Sequence, residues 1–263
     1  MARRGEARNE ARPGMARRGK ARQGKEHGPE ILAKLTTFYG GLMSNRRYTV
    51  KLTGVNDLLM HADNILWRDG MQLWLSDPEN KRMSKAGDDR TPAWGWLGYC
   101  YHDNKFMGMP SDNLMTALRE GGAKVPTGKK GASFKKQSQS GILVNEIQWP
   151  IVTEMGPVEW AEVAALRQEK DFEKHMKKAE ELGFELFVKA AKIGMSKHVR
   201  VRPRFRQWSI QGTVTVLDDT ITTPILQTIL DHAGRYCGLG DWRPSSPKSP
   251  GQFGTFLAEV TPA

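Results

Sequence analysis

Residues 197–216 constrain the fold more than any other stretch. In a β-strand alternate side chains face opposite sides, and here the apolar parity changes midway. Val199, Val201 and Phe205 occupy odd positions, whereas Trp208, Ile210, Val214 and Val216 occupy even ones. One unbroken strand cannot bury both sets on one face, so the spacing predicts a bulge or break near Arg206. Pro203, which has no N–H for a ladder, places that break close to itself. The first half also carries Arg200, Arg202, Arg204 and Arg206 at a spacing of two, which predicts a cationic stripe along one face.

The strand leads into a short helix and then a glycine-rich loop. Thr223-Pro224 reads as a cap followed by a first-turn proline, and Ile225, Leu226, Ile229, Leu230 and Ala233 form one apolar stripe. Gly238-Leu239-Gly240-Asp241-Trp242-Arg243-Pro244 lies within the loop Gly234–Gly254, and a final strand is expected over Phe253 to Val260. Upstream, Arg47 to Gly54 alternates like a strand, and Leu58-Leu59-Met60-His61 is a short apolar run expected to cap the core. Residues 77–92 read as an exposed loop, and Leu97–Tyr101 and Lys105–Met109 as a hairpin around His102-Asp103-Asn104. A helix starts at Ser111 with Leu114, Met115 and Leu118 inward, and Gly121-Gly122 ends it. Lys124–Gly141 holds Lys124, Lys129, Lys130, Lys135 and Lys136 without an acid and reads as a basic loop. Ile142-Leu143-Val144 is strand-like, and residues 159–193 read as helical, with Phe172, Met176, Ala179, Leu182 and Leu186 inward.

Stripped of insertions, this order is βαββαβ: an α+β, ferredoxin-like (RRM-like) sheet with helices on one face and the other face free for ligand. The expected organisation is a disordered basic low-complexity arm over residues 1–42 and a single α+β domain over 43–263, with insertions at about 62–96 and 124–193. The arm repeats Met1-Ala2-Arg3-Arg4-Gly5 as Met15-Ala16-Arg17-Arg18-Gly19 and has almost nothing to bury.

Charge adds a partner class. The net charge is +11 with a pI near 9.7, which favours a polyanion. Residues 1–42 carry 10 Lys/Arg against 4 acids, and the remaining 30 face 25 acids. Because the domain itself is only mildly basic, its clusters matter more than its total. Two distant cysteines, Cys100 and Cys237, make neither a zinc site nor a disulfide framework. No apolar run approaches 18 residues and no secretory signal is legible, so a reduced cytoplasmic setting without a membrane is expected, in a prokaryotic host or a phage-infected cell.

The placement of the glycine-rich loop between the second core helix and the fourth core strand resembles the RAMP superfamily, RRM-like proteins that include backbone subunits of CRISPR effector complexes. The resemblance covers roughly residues 46–260. In that family a glycine-rich loop and a basic insertion contact RNA; the corresponding segments here are Gly234–Gly254 and Lys124–Lys136. Leu58–His61, Arg202-Pro203-Arg204-Phe205 and Gly238–Pro244 also look like motifs of uncharacterised phage and prophage proteins.

The residues themselves favour binding over chemistry. Lys129, Lys130, Lys135 and Lys136 suit phosphate neutralisation. Arg200, Arg202, Arg204 and Arg206 would line the path; charge that protects an exposed strand edge is the other reading of that stripe. Gly238 and Gly240 would permit close approach, and Trp242 with Arg243 would grip a nucleotide. His61, near Asp63, is the one imaginable general base, and a hydrogen-bonded buried histidine is its plain alternative. No HExxH, GxSxG or P-loop motif is present, and no cofactor or metal is expected. The expected partner is single-stranded RNA or DNA, with a homo-oligomer or filament along the strand. A metal-dependent nuclease or other nucleic-acid enzyme, and a phage structural or assembly protein with a genome-contacting basic arm, are the alternatives.

Overall fold

The computed structural model describes residues 45–263 apart from Ala86 and Gly194. The basic arm expected over residues 1–42 lies outside the described residues. The described part is a mixed α+β structure built on antiparallel sheets.

The large sheet follows the path β10-β1-β9-β5-β3, formed by Phe256–Pro262, Arg46–Gly54, Ser209–Val216, Gln148–Thr153 and Gly108–Pro110. β4 (Ile142–Val144) also pairs with β9, and β6 (Gly156–Pro157) pairs with β5. Register follows the apolar alternation: Tyr48 faces Val214, and Leu52 lies between Ile210 and Ala258. Tyr48, Val50, Leu52, Trp208, Ile210, Val214 and Val216 are all buried, as the even-position parity requires.

Helices α3 (Ser111–Gly122) and α7 (Thr223–His232) supply the other side of that core. Leu114, Leu118 and Leu230 meet Leu52, Trp149, Val214 and Phe256 around one small internal void. The opposite sheet face carries exposed Arg47, Lys51, Thr53, Gln211 and Glu259. Among the described residues no helix is long and apolar enough to cross a membrane.

A second sheet, β2-β8-β7, is formed by Leu58–Leu59, Ser196–Phe205 and Glu185–Ile193. The parity change therefore marks a change of sheet. β8 ends at Phe205, β9 begins at Ser209, and the chain turns at Arg206 and Gln207. Pro203 does not break β8: it sits inside the strand opposite Leu186, and its carbonyl accepts from Met60 N at 3.0 Å.

Several expectations are corrected. Residues 124–193 are not wholly an insertion, because β4 and β5 from this stretch join the large sheet and bury Ile142, Trp149 and Ile151. The helix expected over 159–193 is divided into α5 (Trp160–Ala165), a 3-10 turn and α6 (Phe172–Glu181). Gly183, at φ 83°, ends this helical part, and Leu186 lies in β7. Hairpin pairing with β8 overrides the helix preference of Leu, Lys and Ala there. The last seven residues of the lysine-rich loop are helical, as α4 (Lys135–Gly141). The first arm of the expected 97–109 hairpin is a 3-10 helix, Gly95–Tyr99.

Residues 62–96 contain α1 (Ile65–Ser76), which periodicity alone leaves unassigned, and α2 (Pro78–Met83), which falls within the stretch 77–92 expected to be an exposed loop. Their cap chemistry is nonetheless readable. Asn64 accepts from Trp67 N, and Asp77 caps a helix with proline and then Glu79 in its first turn.

One substitution should act in opposite directions at two helical glycines. A Cβ on Gly121 would collide with the Ile229 carbonyl and come within 2.9 Å of Ala233 Cβ, whereas Gly70 has nothing within 4 Å. Gly70→Ala should stabilise by ~0.5–1 kcal/mol, and Gly121→Ala should destabilise by about 1–3 kcal/mol. Denaturant titration measures both, and a stabilising Gly121→Ala would contradict the α3–α7 packing.

Candidate nucleic-acid interface

The alternation of β8 places Val201 and Phe205 in the core and turns Arg200, Arg202 and Arg204 to the other face. Arg206 lies beyond the strand. None of these four guanidinium groups is without a carboxylate. Asp89 accepts from Arg200 Nη1 at 2.9 Å and Arg202 Nη1 at 3.4 Å, and Asp241 accepts from Arg202 Nε at 3.4 Å. Glu185 takes both Arg204 and Arg206, with Asp57 3.7 Å from Arg204 Nε. Partial burial would raise the Glu185 pKa, but hydrogen bonds from Arg206 and Arg204 hold it below the usual glutamate value.

Two of the arginines also sit on aromatic rings, Arg202 over Tyr99 at 4.1 Å and Arg204 over Phe187 at 4.6 Å. The Arg202 side chain is only 12% exposed, against 63% for Arg206. The stripe exists, but its inner members work as internal ties.

The glycine-rich loop folds back on its own chain. Gly238 and Gly240 have φ of 70° and 74°. Gly238 is buried, and its N–H donates to the Ala233 carbonyl at 2.9 Å. Gly240 lies where a Cβ would strike the Leu59 carbonyl, which accepts from Asp241 N at 2.8 Å. The close approach these glycines allow is therefore to β2 and to the loop itself. Arg243 likewise holds the loop, donating to Ser245 Oγ at 3.1 Å and to the Gly240 carbonyl at 3.3 Å.

Trp242 is half-buried with φ 50°, one of two non-glycine residues with positive φ among the described residues. A bulky residue there costs ~1–3 kcal/mol of local strain. Its ring stacks on Phe253 at 5.4 Å and carries the Lys189 ammonium at 3.6 Å.

The lysines behave differently. Lys124, Lys129, Lys130, Lys135 and Lys136 are all exposed, and none forms an ion pair among the described residues. Lys129 and Lys130 sit at the tip of a turn closed by a Pro126–Ser133 bridge, between Gly128 at φ 82° and Gly131 at φ 74°. Lys124 and Lys135 line a cleft of ≈ 590 Å³ with Arg119, Tyr236 and Ser245. Tyr236 is 48% exposed.

Two further clefts meet at the arginine row. Arg200 and Arg202 line one of ≈ 370 Å³ with Trp242, Asp241, Lys189 and Phe187. The same two arginines line another of ≈ 570 Å³ with His61, Asp89, Tyr99 and Lys85. The structure thus groups Lys124 with Lys135, and Arg200 and Arg202 with Trp242. Arg204 and Arg206 stand apart on Glu185. Asp241 and Trp242 border one of these clefts and Pro244 and Ser245 the lysine cleft, so the glycine-rich loop contributes to both.

Reasoning from the sequence missed Lys189, Tyr236, Asp89 and Asp241. The motif around Asp241-Trp242 marked the place without revealing the carboxylate's role, and Asp89 gave no signal at all.

His61 is neither buried nor free. Its Nδ1 lies 3.6 Å from Asp241 and its Nε2 3.4 Å from Arg202. Burial and then Arg202 lower its pKa below the usual histidine value, against the opposing pull of Asp241. The fully buried histidine is His175, which accepts from Trp96 Nε1 at 3.0 Å; Nε2 then carries the proton toward the Glu169 carbonyl, also at 3.0 Å. Burial raises the Cys100 thiol pKa, and raises Cys237 to about 11, so both stay protonated. No group of three His, Cys, Asp or Glu residues converges as a metal site among the described residues. Compared with known proteins, the chain matches no family model and no curated protein sequence.

Asp89→Asn leaves two guanidinium groups with a weaker partner and should destabilise the fold by about 2–4 kcal/mol in denaturant titrations, whereas Arg206→Ala should cause no measurable loss. Equal effects would contradict the division between inner and outer arginines. The lowered pKa of His61 fixes a second sign. Below pH ~6.5 the unfolded chain binds a proton before the folded chain does, so this site costs stability as pH falls. His61→Gln should reduce the drop in melting temperature between pH about 7 and about 5.5; an unchanged drop would show that His61 titrates normally.

Proposed function

We propose that this protein binds single-stranded nucleic acid, with the lysines of residues 124–136 neutralising its phosphates. The observation that carries this reading is the contrast between the two cation sets. The arginines of β8 are tied to Asp89, Asp241 and Glu185, whereas the five lysines stand exposed without a carboxylate partner among the described residues. Compact, strongly hydrated ammonium groups on flexible stems suit contact with a phosphate backbone without reading sequence. Tyr236, exposed beside Lys124 and Lys135, adds a ring on which a base can stack.

The reading includes a fold proposal. The antiparallel order β10-β1-β9-β5, with α3 following β1 and α7 following β9, supports a ferredoxin-like βαββαβ core. Its uncovered polar face and its glycine-rich loop before the last strand support kinship with RAMP-type RNA-binding subunits. Such subunits repeat along their strand, and we extend that arrangement to this chain.

Binding of a labelled single-stranded oligonucleotide, followed by anisotropy across a salt series, tests the proposal. Changing Lys129, Lys130, Lys135 and Lys136 together to Gln should weaken binding and make the slope of log K against log salt shallower by up to about 3. An unchanged slope, or binding insensitive to salt in the unaltered protein, would refute it.

A further inference from the structure

The cleft beside Trp242 has a composition that phosphate neutralisation does not require. Leu59, Phe187, Ala190 and Ala191 give it an apolar floor, and Asp241, Arg200 and Ser249 bring polar groups to its wall. An apolar slot edged by a carboxylate as well as by cationic donors suits a planar base better than a phosphate, which has no use for a carboxylate.

Two features make this slot look prepared. Trp242 is held at positive φ, an arrangement that marks functional positions when the surroundings fix it. Here they do, because the preceding residue is pinned to β2 through Asp241 N and the Leu59 carbonyl. The Trp242 ring stacks on Phe253 and packs against the Gly251 backbone, and it also carries the ammonium of Lys189, an exposed side chain that can swing away.

The polar groups select among bases. Asp241 Oδ1 accepts from Trp242 N and Oδ2 from Arg202 Nε. A carboxylate offers about four acceptor sites, so each oxygen retains one. Arg200 donates from Nη1 to Asp89 and has further N–H groups available.

We propose that this cleft is a base-reading pocket for guanine. The base displaces Lys189 and stacks on Trp242. Guanine N1–H and its exocyclic amino group donate to Asp241, and O6 accepts from Arg200. Lys189, once released, moves to the adjoining phosphate. Adenine is disfavoured because its N1 lone pair would face the carboxylate with no proton between them. The inference rests on the single-strand reading above only for the source of the base.

Short oligouridines carrying one central guanine or one central adenine test it, alongside guanosine and GMP, with tryptophan fluorescence and affinity as readouts. The guanine oligomer should bind about tenfold more tightly than the adenine one, with a fluorescence change that disappears in Trp242→Phe. Asp241→Asn should remove the preference. Because Asp241 also pairs with Arg202, Lys189→Ala serves as the second variant: this exposed change should raise the affinity for guanosine, since no cation then has to leave the ring. Equal affinities for the two oligomers, a preference that survives Asp241→Asn, or weaker guanosine binding by Lys189→Ala would each overturn the proposal. The two readings fail separately. Strand binding with no base preference and no fluorescence change sinks the pocket and leaves the lysine surface standing. Quenching by GMP in a protein that binds no strand supports the pocket and sinks the strand reading.

Discussion

The arginine row of β8 can stand where it does only because three separate segments bring carboxylates to it. A partly buried guanidinium without a partner carries a large desolvation cost. Asp89 arrives from the stretch after α2, Glu185 from the start of β7, and Asp241 from the glycine-rich loop. Asp89 and Asp241 reach the row from distant parts of the chain, whereas Glu185 faces Arg204 across the β7–β8 hairpin. Such pairs add modest net stability but penalise their own disruption heavily. Their structural effect is to fix where the 84–91 segment and the loop sit relative to the second sheet. The N–H of Asp89 donates to the Val199 carbonyl at 3.0 Å and its carboxylate receives Val201 N at 3.3 Å, so the anchoring involves backbone as well as charge.

This use of the β8 arginines leaves the lysines of residues 124–136 as the unpaired cationic cluster among the described residues. Arginine's planar fork fits carboxylates and stacks on rings, as Arg202 does over Tyr99, whereas lysine keeps its charge mobile in water. A chain with a net charge of +11 need not present an even cationic surface. Here the described part separates cations that build the fold from cations that remain open to a partner. The position of a positive residue in the sequence does not reveal which kind it is.

That limit explains what the sequence could convey. β1, β9, α3 and α7 were legible because their apolar spacing belongs to the element itself: Tyr48, Val50 and Leu52 alternate, and Leu226, Ile229 and Leu230 recur at helical intervals. The parity change in residues 197–216 was also legible, and it proved to be a boundary between sheets. β7 was not, since Leu186, Lys189 and Ala190 are competent helix formers and only their pairing with β8 makes them a strand. The arginine stripe was correctly read as a stripe and incompletely read as a site. Its partners lie outside any local window, with Asp89 more than a hundred residues from Arg200 in the chain. Gly238 and Gly240 were singled out for close approach to a ligand; in the fold, what approaches them is the protein's own backbone.

The loop's rigidity then becomes the more informative feature. A flexible glycine-rich segment would wrap a ligand and lose entropy on ordering. This one is already ordered: its N–H groups at Gly238, Leu239, Asp241, Gly251 and Gly254 all donate to backbone carbonyls. Few of its backbone donors remain free to cradle a phosphate, so what the loop offers to its surroundings is chiefly side chains. Ser245 stands on the lysine cleft and Asp241 with Trp242 on the arginine cleft, only a few residues apart along a fixed backbone. The two clefts therefore lie at a set offset along the loop. Here the glycines let the loop pack on β2 and on itself, and that packing fixes the spacing between the two clefts.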